Sequence, residues 1–302
     1  MKHAVIGGAG FIGHHIVNKL IERGDEVIVI DNLSTGYLAN VHEKARFHQF
    51  DIIDEVAVKV ISDLLYGVDT VYLTAALARV QPSIEQPILF NETNVTGMLR
   101  VLEACRTAQV RRVVFSSSSS VYGETIVYPT PEHTPVNPLS PYALQKFIGE
   151  HYCRLYSQIY NLDTVSLRYF NVYGNGMPLE GAYRSVLSIF GNQYKNDQPL
   201  TYTNDGCQSR DFVHVHDVAD INILLGDYHE PIMGDVYNVG TGYDYSVNQI
   251  MDMFGSPRQF LENRIEPIRT LADISKLQAK FGWEPTGSLA AFIEQYKKDL
   301  KS

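Results

Sequence analysis

"KHAVIGGAGFIGHHIVNKLIERGDEVIVID", residues 2–31, decides the fold. The apolar run into Ile6 predicts a strand. Ile12, Ile16 and Leu20 then recur at helical spacing, with Gly24 as the stop, and "EVIVID" (26–31) forms a second strand. Between strand and helix lies Gly8-Ala-Gly10-Phe-Ile-Gly13. In that context a G-x-G-x-x-G turn carries meaning. Glycines admit the backbone of a pyrophosphate-binding turn, and the helix N-terminus adds N–H donors and a partial positive charge. Asp31 closes the second strand, where a carboxylate can bond both ribose hydroxyls and repel an extra phosphate. The expected cofactor is therefore NAD. The alternative is a glycine turn that merely packs helix on strand.

Outward from this stretch, short apolar strands alternate with helical patterns. "RFHQFDI" (46–52), "DTVYLTAA" (69–76), "VRRVVFSS" (110–117) and "DTVSLRYFN" (163–171) continue the series, with helices over 92–108 and 141–160. Alternation of this kind predicts a Rossmann-like, doubly wound parallel sheet. Asp51 and Ile52 end the third strand, near the adenine in such folds, although a turn aspartate is an equal reading. After residue 172 the pattern loosens into "NVYGNGMPLEGAY". Residues 1–171, rejoined by 207–240, are expected to form the NAD-binding domain. Residues 172–206 and 241–302 form a smaller mixed α/β C-terminal substrate domain.

The 302 residues are 45% apolar, enough for a sizeable core, and carry a formal net charge of −9. That charge argues against a nucleic-acid surface. Cys105, Cys153 and Cys207 are odd in number and show no CxxC, which fits a reducing compartment and no disulfide framework. No signal-like segment and no membrane-length apolar run is present, so a cytoplasmic protein is expected. His214 and His216, read as alternating on one strand face, could ligate a metal. No third ligand cluster accompanies them, and no metal is expected.

Two further stretches carry chemistry. In "SPYALQK" (140–146), Tyr142 and Lys146 stand four apart on a helix and share a face. An ammonium near a phenol favours phenolate, which can take a proton from a sugar hydroxyl. "FSSSSSVYG" (115–123) ends an apolar strand in five serines. Ligands of open parallel sheets lie beyond the carboxyl ends of the strands, so a hydroxyl there can reach both the tyrosine and a substrate. A flexible serine linker is the alternative.

With "GGAGFIG", "DNLSTG" (31–36), "NVTG" (94–97), "FSSSSSVYG", "PYALQK", "RYFNVYG" (168–174), "RDFVHVHDVAD" (210–220), "YNVGTG" (237–242) and "LADISK" (271–276), the chain resembles the extended short-chain dehydrogenase/reductases. Within them it is similar to the nucleotide-sugar 4-epimerases of the UDP-glucose 4-epimerase type. The resemblance implies an enzyme that inverts C4 of a UDP-sugar (UDP-glucose/UDP-galactose, or their N-acetyl counterparts) through a 4-keto sugar. UDP-glucuronate epimerisation and dehydratase or decarboxylase chemistry are the alternatives, with a non-catalytic nucleotide-binding protein behind them. It implies catalytic Ser118, Tyr142 and Lys146. Cofactor contacts fall on Gly7, Gly10, Phe11, Ile12, Gly13, Asp31, Asn32, Ser34, Thr35, Gly36, Asp51, Ile52, Ala75, Ala76, Asn94, Tyr142, Lys146 and Tyr169. Substrate contacts fall on Ser118, Ser120, Tyr142, Asn171, Arg210, Arg264 and Thr270. Related dehydratases and decarboxylases carry acids where Ser119 and Ser120 stand, so the serines favour epimerisation. Ala78 stands where some epimerases have a lysine, and Thr270 where a larger residue would exclude an N-acetyl group. A homodimer through the 92–108 and 141–160 helices is also implied.

Overall fold

The computed structural model describes residues 1–178, 185–263 and 267–301. In chain order the elements begin β1 (Lys2–Ile6), α1 (Phe11–Glu22), β2 (Glu26–Asp31), β3 (Arg46–Gln49), α2 (Ala57–Leu64) and β4 (Thr70–Leu73). The short helices α3 (Val80–Glu85) and α4 (Pro87–Asn91) lead into a π-helical turn, Glu92–Gly97, and then α5 (Met98–Thr107). β5 (Arg112–Ser118), α6 (Pro141–Tyr160), β6 (Asp163–Tyr169) and β7 (Asn171–Tyr173) follow. Next come α7 (Val186–Lys195), β8 (Leu200–Tyr202), β9 (Ser209–His214), α8 (Val215–Asp227) and β10 (Asp235–Val239). The chain finishes with β11 (Asp244–Ser246), α9 (Val247–Phe254), β12 (Arg258–Phe260), β13 (Arg269–Thr270), α10 (Ser275–Phe281) and α11 (Leu289–Lys301).

Two compact units result. The first comprises Met1–Val121, Asn137–Arg168 and Val218–Tyr237. Its seven-stranded parallel sheet has the order β10-β6-β5-β4-β1-β2-β3, so the expected doubly wound fold is present. β1 pairs in parallel with both β2 and β4, and the winding direction reverses between β1 and β4. Sheets of this kind place their ligand sites at that reversal, beyond the carboxyl ends of the strands. Because helices cover both faces, the central strands are apolar throughout: β1 and β2 bury every residue from His3 to Ile6 and from Val27 to Asp31. Ile6, Ile28, Leu73, Val113 and Phe115 pack on Ile61, Val101, Leu102, Cys153 and Tyr156 of the covering helices. Each such side chain contributes about 1.5–3 kcal/mol by leaving water.

One contact of that layer positions the chemistry. A Cβ on Gly149 of α6 would lie 2.5 Å from Phe115 Cζ of β5. Glycine therefore lets α6 press onto the strand that ends in the serines.

The second unit comprises Tyr122–Val136, Tyr169–Asp217 and Asn238–Ser302. At its centre β9 pairs with β7, β11 and β13, and β8 pairs with β12. Among the described residues no helix is long and apolar enough to cross a membrane.

Candidate active site

The glycine turn after β1 is shaped by contacts a side chain would destroy. Gly7 adopts φ +91°, and its Cβ would stand 2.4 Å from Ala75 N. A Cβ on Gly13 would meet Gly7 O at 2.2 Å, and one on Gly8 would meet Val29 Cγ1 at 2.8 Å. Gly36 fits against Ala9, where a Cβ would come within 2.8 Å of the backbone carbon. Gly10 differs. Its φ is −79° and its Cβ would touch only Gly7 O, at 3.3 Å. Neither conformation nor internal packing demands glycine there, so the space above it is a cradle that a Cβ would fill. Gly10 is also the N-cap of α1, with no side-chain cap and no acid in the first turn. The N–H groups of Phe11, Ile12 and Gly13 thus begin a helix whose positive end suits a phosphate.

Around this turn, Asp31 accepts hydrogen bonds from Ala9 N at 3.0 Å and Leu33 N at 2.8 Å, one on each carboxylate oxygen. Asn32 donates to Asp51 at 2.8 Å, and Ser34 N donates to Asn32 Oδ1 at 2.9 Å. Tyr37 N and Asn40 Nδ2 both donate to Ala9 O, which fastens the Ser34–Thr35–Gly36 loop to the glycine turn. Asp51 also closes its own turn on Ile53 N at 3.1 Å. The Ile52 side chain packs in the core beneath Gly97.

β5 delivers the serines. Ser120 N and Ser120 Oγ both donate to Ser118 Oγ, at 3.2 and 2.9 Å. The Ser118 hydroxyl, anchored in this way, lowers the Tyr142 phenol from the value that burial gives it. Tyr142 stands in the first turn of α6, which starts at Pro141 behind the N-cap Ser140, whose Oγ accepts from Ala143 N at 3.2 Å. Lys146, one turn on, is buried; its Nζ donates to Ser116 O at 2.7 Å and lies 5.0 Å above the Phe115 ring. Burial pushes the ammonium down to about 8, against the pull of Cys153 and Glu150.

This differs from the expected lysine-driven phenolate. Lys146 Nζ sits 5.9 Å from the Tyr142 ring centroid and spends its bond on Ser116 O. Burial raises the Tyr142 phenol above its ordinary value; the Ser118 hydrogen bond and the Arg79 charge pull it back down. The positive end of α6 acts in the same downward sense.

Several supports carry no signal in the local sequence. Asn94 sits in the π turn, where its Oδ1 accepts from Leu77 N and its Nδ2 donates to Leu77 O, both at 2.8 Å, and to Gln145 Oε1 at 3.0 Å. Ser83 Oγ accepts from Tyr142 N at 3.1 Å. Glu150, one turn beyond Lys146, accepts from Ser117 Oγ and from both arms of Arg168 at 2.9 and 2.7 Å. All three are long-range pairings; of them only Asn94 is a site residue that the resemblance implies.

In the second unit, Thr270 on β13 and Tyr245 on β11 are both register partners of Arg210 on β9. Asn171 Nδ2 donates to Asp211 O at 2.8 Å and lies 3.4 Å from Thr270 Oγ1. Asn171, Arg210 and Thr270 are thus brought together on one small sheet. Asp211 fixes that sheet by accepting from Thr241 N, Gly242 N and Ala272 N at 2.8, 3.0 and 3.1 Å. Tyr169 is buried at the end of β6. Arg264 lies outside the described residues. Arg269, unmarked by the sequence reading, pairs bidentately with Asp244 at 2.7 and 2.9 Å over the Tyr128 ring. His214 and His216 do not share a strand face: β9 ends at His214, and His216 belongs to α8. The apolar run that follows favours the helix, and the two rings pack edge to face at 4.7 Å.

The NAD dependent epimerase/dehydratase family model matches residues 3–240. A UDP-glucose 4-epimerase of Lactobacillus helveticus is 34% identical over 313 residues, covering 94% of this chain and 92% of its own length. The UDP-glucose 4-epimerase of Thermotoga maritima, solved with UDP-glucose, superposes with a TM-score of 0.92 at 33% identity over 99% of this chain and 98% of its own. The UDP-glucuronic acid 4-epimerase of Bacillus cereus, solved with UDP-glucuronic acid and NAD, gives 0.90 at 30% over 100% and 99%. A match over most of the chain, on a glycine cradle and a Ser–Tyr–Lys cluster, places this protein in the NAD-dependent epimerase/dehydratase family of enzymes.

Proposed function

We propose that the protein is a UDP-sugar 4-epimerase, and that Ser120, Ser118 and Tyr142 are its acid–base apparatus. The Ser120–Ser118 hydrogen bond at the end of β5, with Tyr142 in the first turn of α6, is the observation that carries the reading. The serines end β5, two strands from the β1 that leads into the glycine turn, and hydroxyls occupy positions 119 and 120. A carboxyl there would serve elimination; serines leave only proton exchange with a sugar hydroxyl.

In this reading the Gly7–Gly13 turn and the first turn of α1 hold the pyrophosphate of NAD. Asp31 takes the adenosine ribose, with Asn32, Ser34–Gly36, Asp51 and Ile52 around the adenosine. Ala75, Ala76, Asn94, Tyr169 and Lys146 serve the nicotinamide end. NAD, when bound, supplies reversible hydride exchange at the sugar carbon and a positive ring beside the phenol. The protein's part is the proton. Tyr142 accepts it from the 4-hydroxyl, and Ser118 aligns that hydroxyl and shares the hydrogen bond. Tyr142 returns the proton after the 4-keto sugar has turned over. Ser118 must keep the bond in both directions, which its anchoring by Ser120 permits. Asn171, Arg210, Arg264 and Thr270 hold the nucleotide end, so binding energy is invested away from the ring that must rotate.

In this reading the first compact unit, Met1–Val121 with Asn137–Arg168 and Val218–Tyr237, holds the cofactor, and the second, Tyr122–Val136 with Tyr169–Asp217 and Asn238–Ser302, holds the substrate. The protein acts as a homodimer. On α6, Leu144, Leu155 and Ile159 are exposed at 49%, 45% and 62%. With Ile148 and Tyr152 they form a seam spaced by four, four, three and four residues, the repeat that packs one helix against another. Three unpaired thiols suit a cytoplasmic location.

The test is Tyr142→Phe. Interconversion of UDP-glucose and UDP-galactose, or of another UDP-sugar pair, is expected to fall at least about 1000-fold, with NAD retained. Near-wild-type turnover by this variant defeats the assignment.

A further inference from the structure

β5 and α6 meet in a ladder of contacts that runs up to the reacting serine. A Cβ on Gly149 would lie 2.5 Å from Phe115 Cζ, so the helix presses on the strand at that rung. At the next residue of β5, Ser116 O accepts from Lys146 Nζ at 2.7 Å. At the one after, Ser117 Oγ donates to Glu150 Oε1 at 2.5 Å. Ser118 follows and ends the strand. Glu150 is gripped from a third element as well. Arg168 of β6 donates through Nε to Oε1 at 2.9 Å and through Nη2 to Oε2 at 2.7 Å. Ser117, Glu150 and Arg168 are all buried. Burying two charges strips their hydration, and well-packed apolar side chains of similar volume are often as stable. Apolar contact does not fix how far along its axis, or at what rotation, a helix lies on a strand. A two-pronged ion pair with a hydroxyl on the same carboxylate does. Stability does not call for this pair; register does.

We propose that Glu150 is a positioning residue for the reaction: bound to Arg168 of β6 and to Ser117 of β5, its carboxylate sets the register of α6 on the strand that ends in Ser118, and so the placing of Tyr142 and Lys146 against that serine. The inference rests on the acid–base roles given above to Ser118 and Tyr142. Glu150 stands on α6 one turn beyond Lys146 and two beyond Tyr142, a span of about 12 Å along the axis. A slip or rotation of the helix at Glu150 is carried to Tyr142. Misplacing a reacting group by about 1 Å costs on the order of 100-fold in rate. The charge of the carboxylate reaches Lys146 too: burial lowers that ammonium, while Cys153 and Glu150 raise it. In this reading Glu150 touches no reacting atom and acts only through Ser117 and its own helix.

The experiment uses the full chain loaded with NAD, as wild type, Ser117→Ala, Arg168→Lys and the double variant Glu150→Leu with Arg168→Met. Steady-state kcat and KM are measured on the UDP-sugar pair that wild type interconverts, beside melting temperature and NAD content. The double variant removes both charges and refills their volume, so it should fold and melt close to wild type. Its kcat should nevertheless fall at least tenfold, with KM within threefold. Arg168→Lys keeps the charge and loses the fork, and its kcat should lie between those two. Ser117→Ala leaves the ion pair whole and cuts only the tie to β5; its kcat should fall at least threefold, with KM and melting temperature unchanged. An ion pair that only held the fold together would leave kcat untouched in every variant that folds. A kcat above one third of wild type in Ser117→Ala overturns the proposal, whether or not the double variant folds. A folded double variant with a kcat near wild type overturns it as well. Both results leave the epimerase reading intact, whereas failure of wild type to interconvert any UDP-sugar pair overturns that reading itself.

Discussion

Three side chains form a graded series at the reaction centre. Ser118 lowers the phenol's pKa, Ser120 acts only through Ser118, and Lys146 is buried and bonded to Ser116 O. Ser118→Ala should lower kcat by about 100-fold or more, the usual worth of a positioned proton-transfer group. Ser120→Ala removes only the anchor of Ser118, and its loss should be near tenfold. Steady-state rates of both variants on one UDP-sugar pair check the order; a larger loss in Ser120→Ala would reverse the assigned roles. Lys146 makes a second prediction, about stability in the absence of cofactor. Its folded value, about 8, lies below the ordinary 10.5. Between those limits the unfolded chain binds more protons than the folded one, so this group's contribution to stability rises with pH across the window. The full amplitude is about 3 kcal/mol. Urea unfolding at pH 7.5 and pH 10 should show that rise in wild type and a smaller one in Lys146→Met.

At the level of elements, the turn between β1 and α1 separates two reasons for being glycine. Gly13→Ala drives a Cβ into Gly7 O at 2.2 Å and must displace α1. Its expected cost is about 1–3 kcal/mol, together with loss of NAD. Gly10→Ala meets only one contact, at 3.3 Å. Its stability should stay within about 1 kcal/mol of wild type while NAD retention collapses. Calorimetric unfolding alongside cofactor content of the purified protein separates the two; parallel losses in both variants would mean that the cradle at Gly10 is only structural. Much of this level is legible in the sequence. "EVIVID" became β2 at its expected bounds because a doubly covered strand has no polar face to confuse the pattern. "SPYALQK" placed Tyr142 and Lys146 on a helix because a serine cap and a proline at the first position mark its start. Other features were not legible. The π turn at 92–97 carries an ordinary helical pattern and differs only in its hydrogen bonds. His214 and His216 alternate as strand residues would, yet a helix starts between them. What Lys146 bonds, and that Ser83 caps Tyr142 N, depend on residues at least thirty positions away. No local pattern encodes such partners.

For the molecule as a whole, the exposed seam of α6 predicts association. Light scattering of the purified protein should give twice the 34.0 kDa chain mass, and Leu155→Asp with Ile159→Asp should give the chain mass itself. Two charges placed in an apolar interface remove burial and add desolvation cost, which a dimer of ordinary size does not withstand. Unchanged mass in the double variant would exclude this face.

The path of the backbone has a consequence for anyone who would take the protein apart. The chain passes from one compact unit to the other after Val121, Val136, Arg168, Asp217 and Tyr237. No single cut in the gene yields either unit as a continuous polypeptide, and neither can be grafted onto another protein as a cassette. Functional change in such an architecture must come by substitution in place, at positions such as 120 or 270, and not by swapping modules.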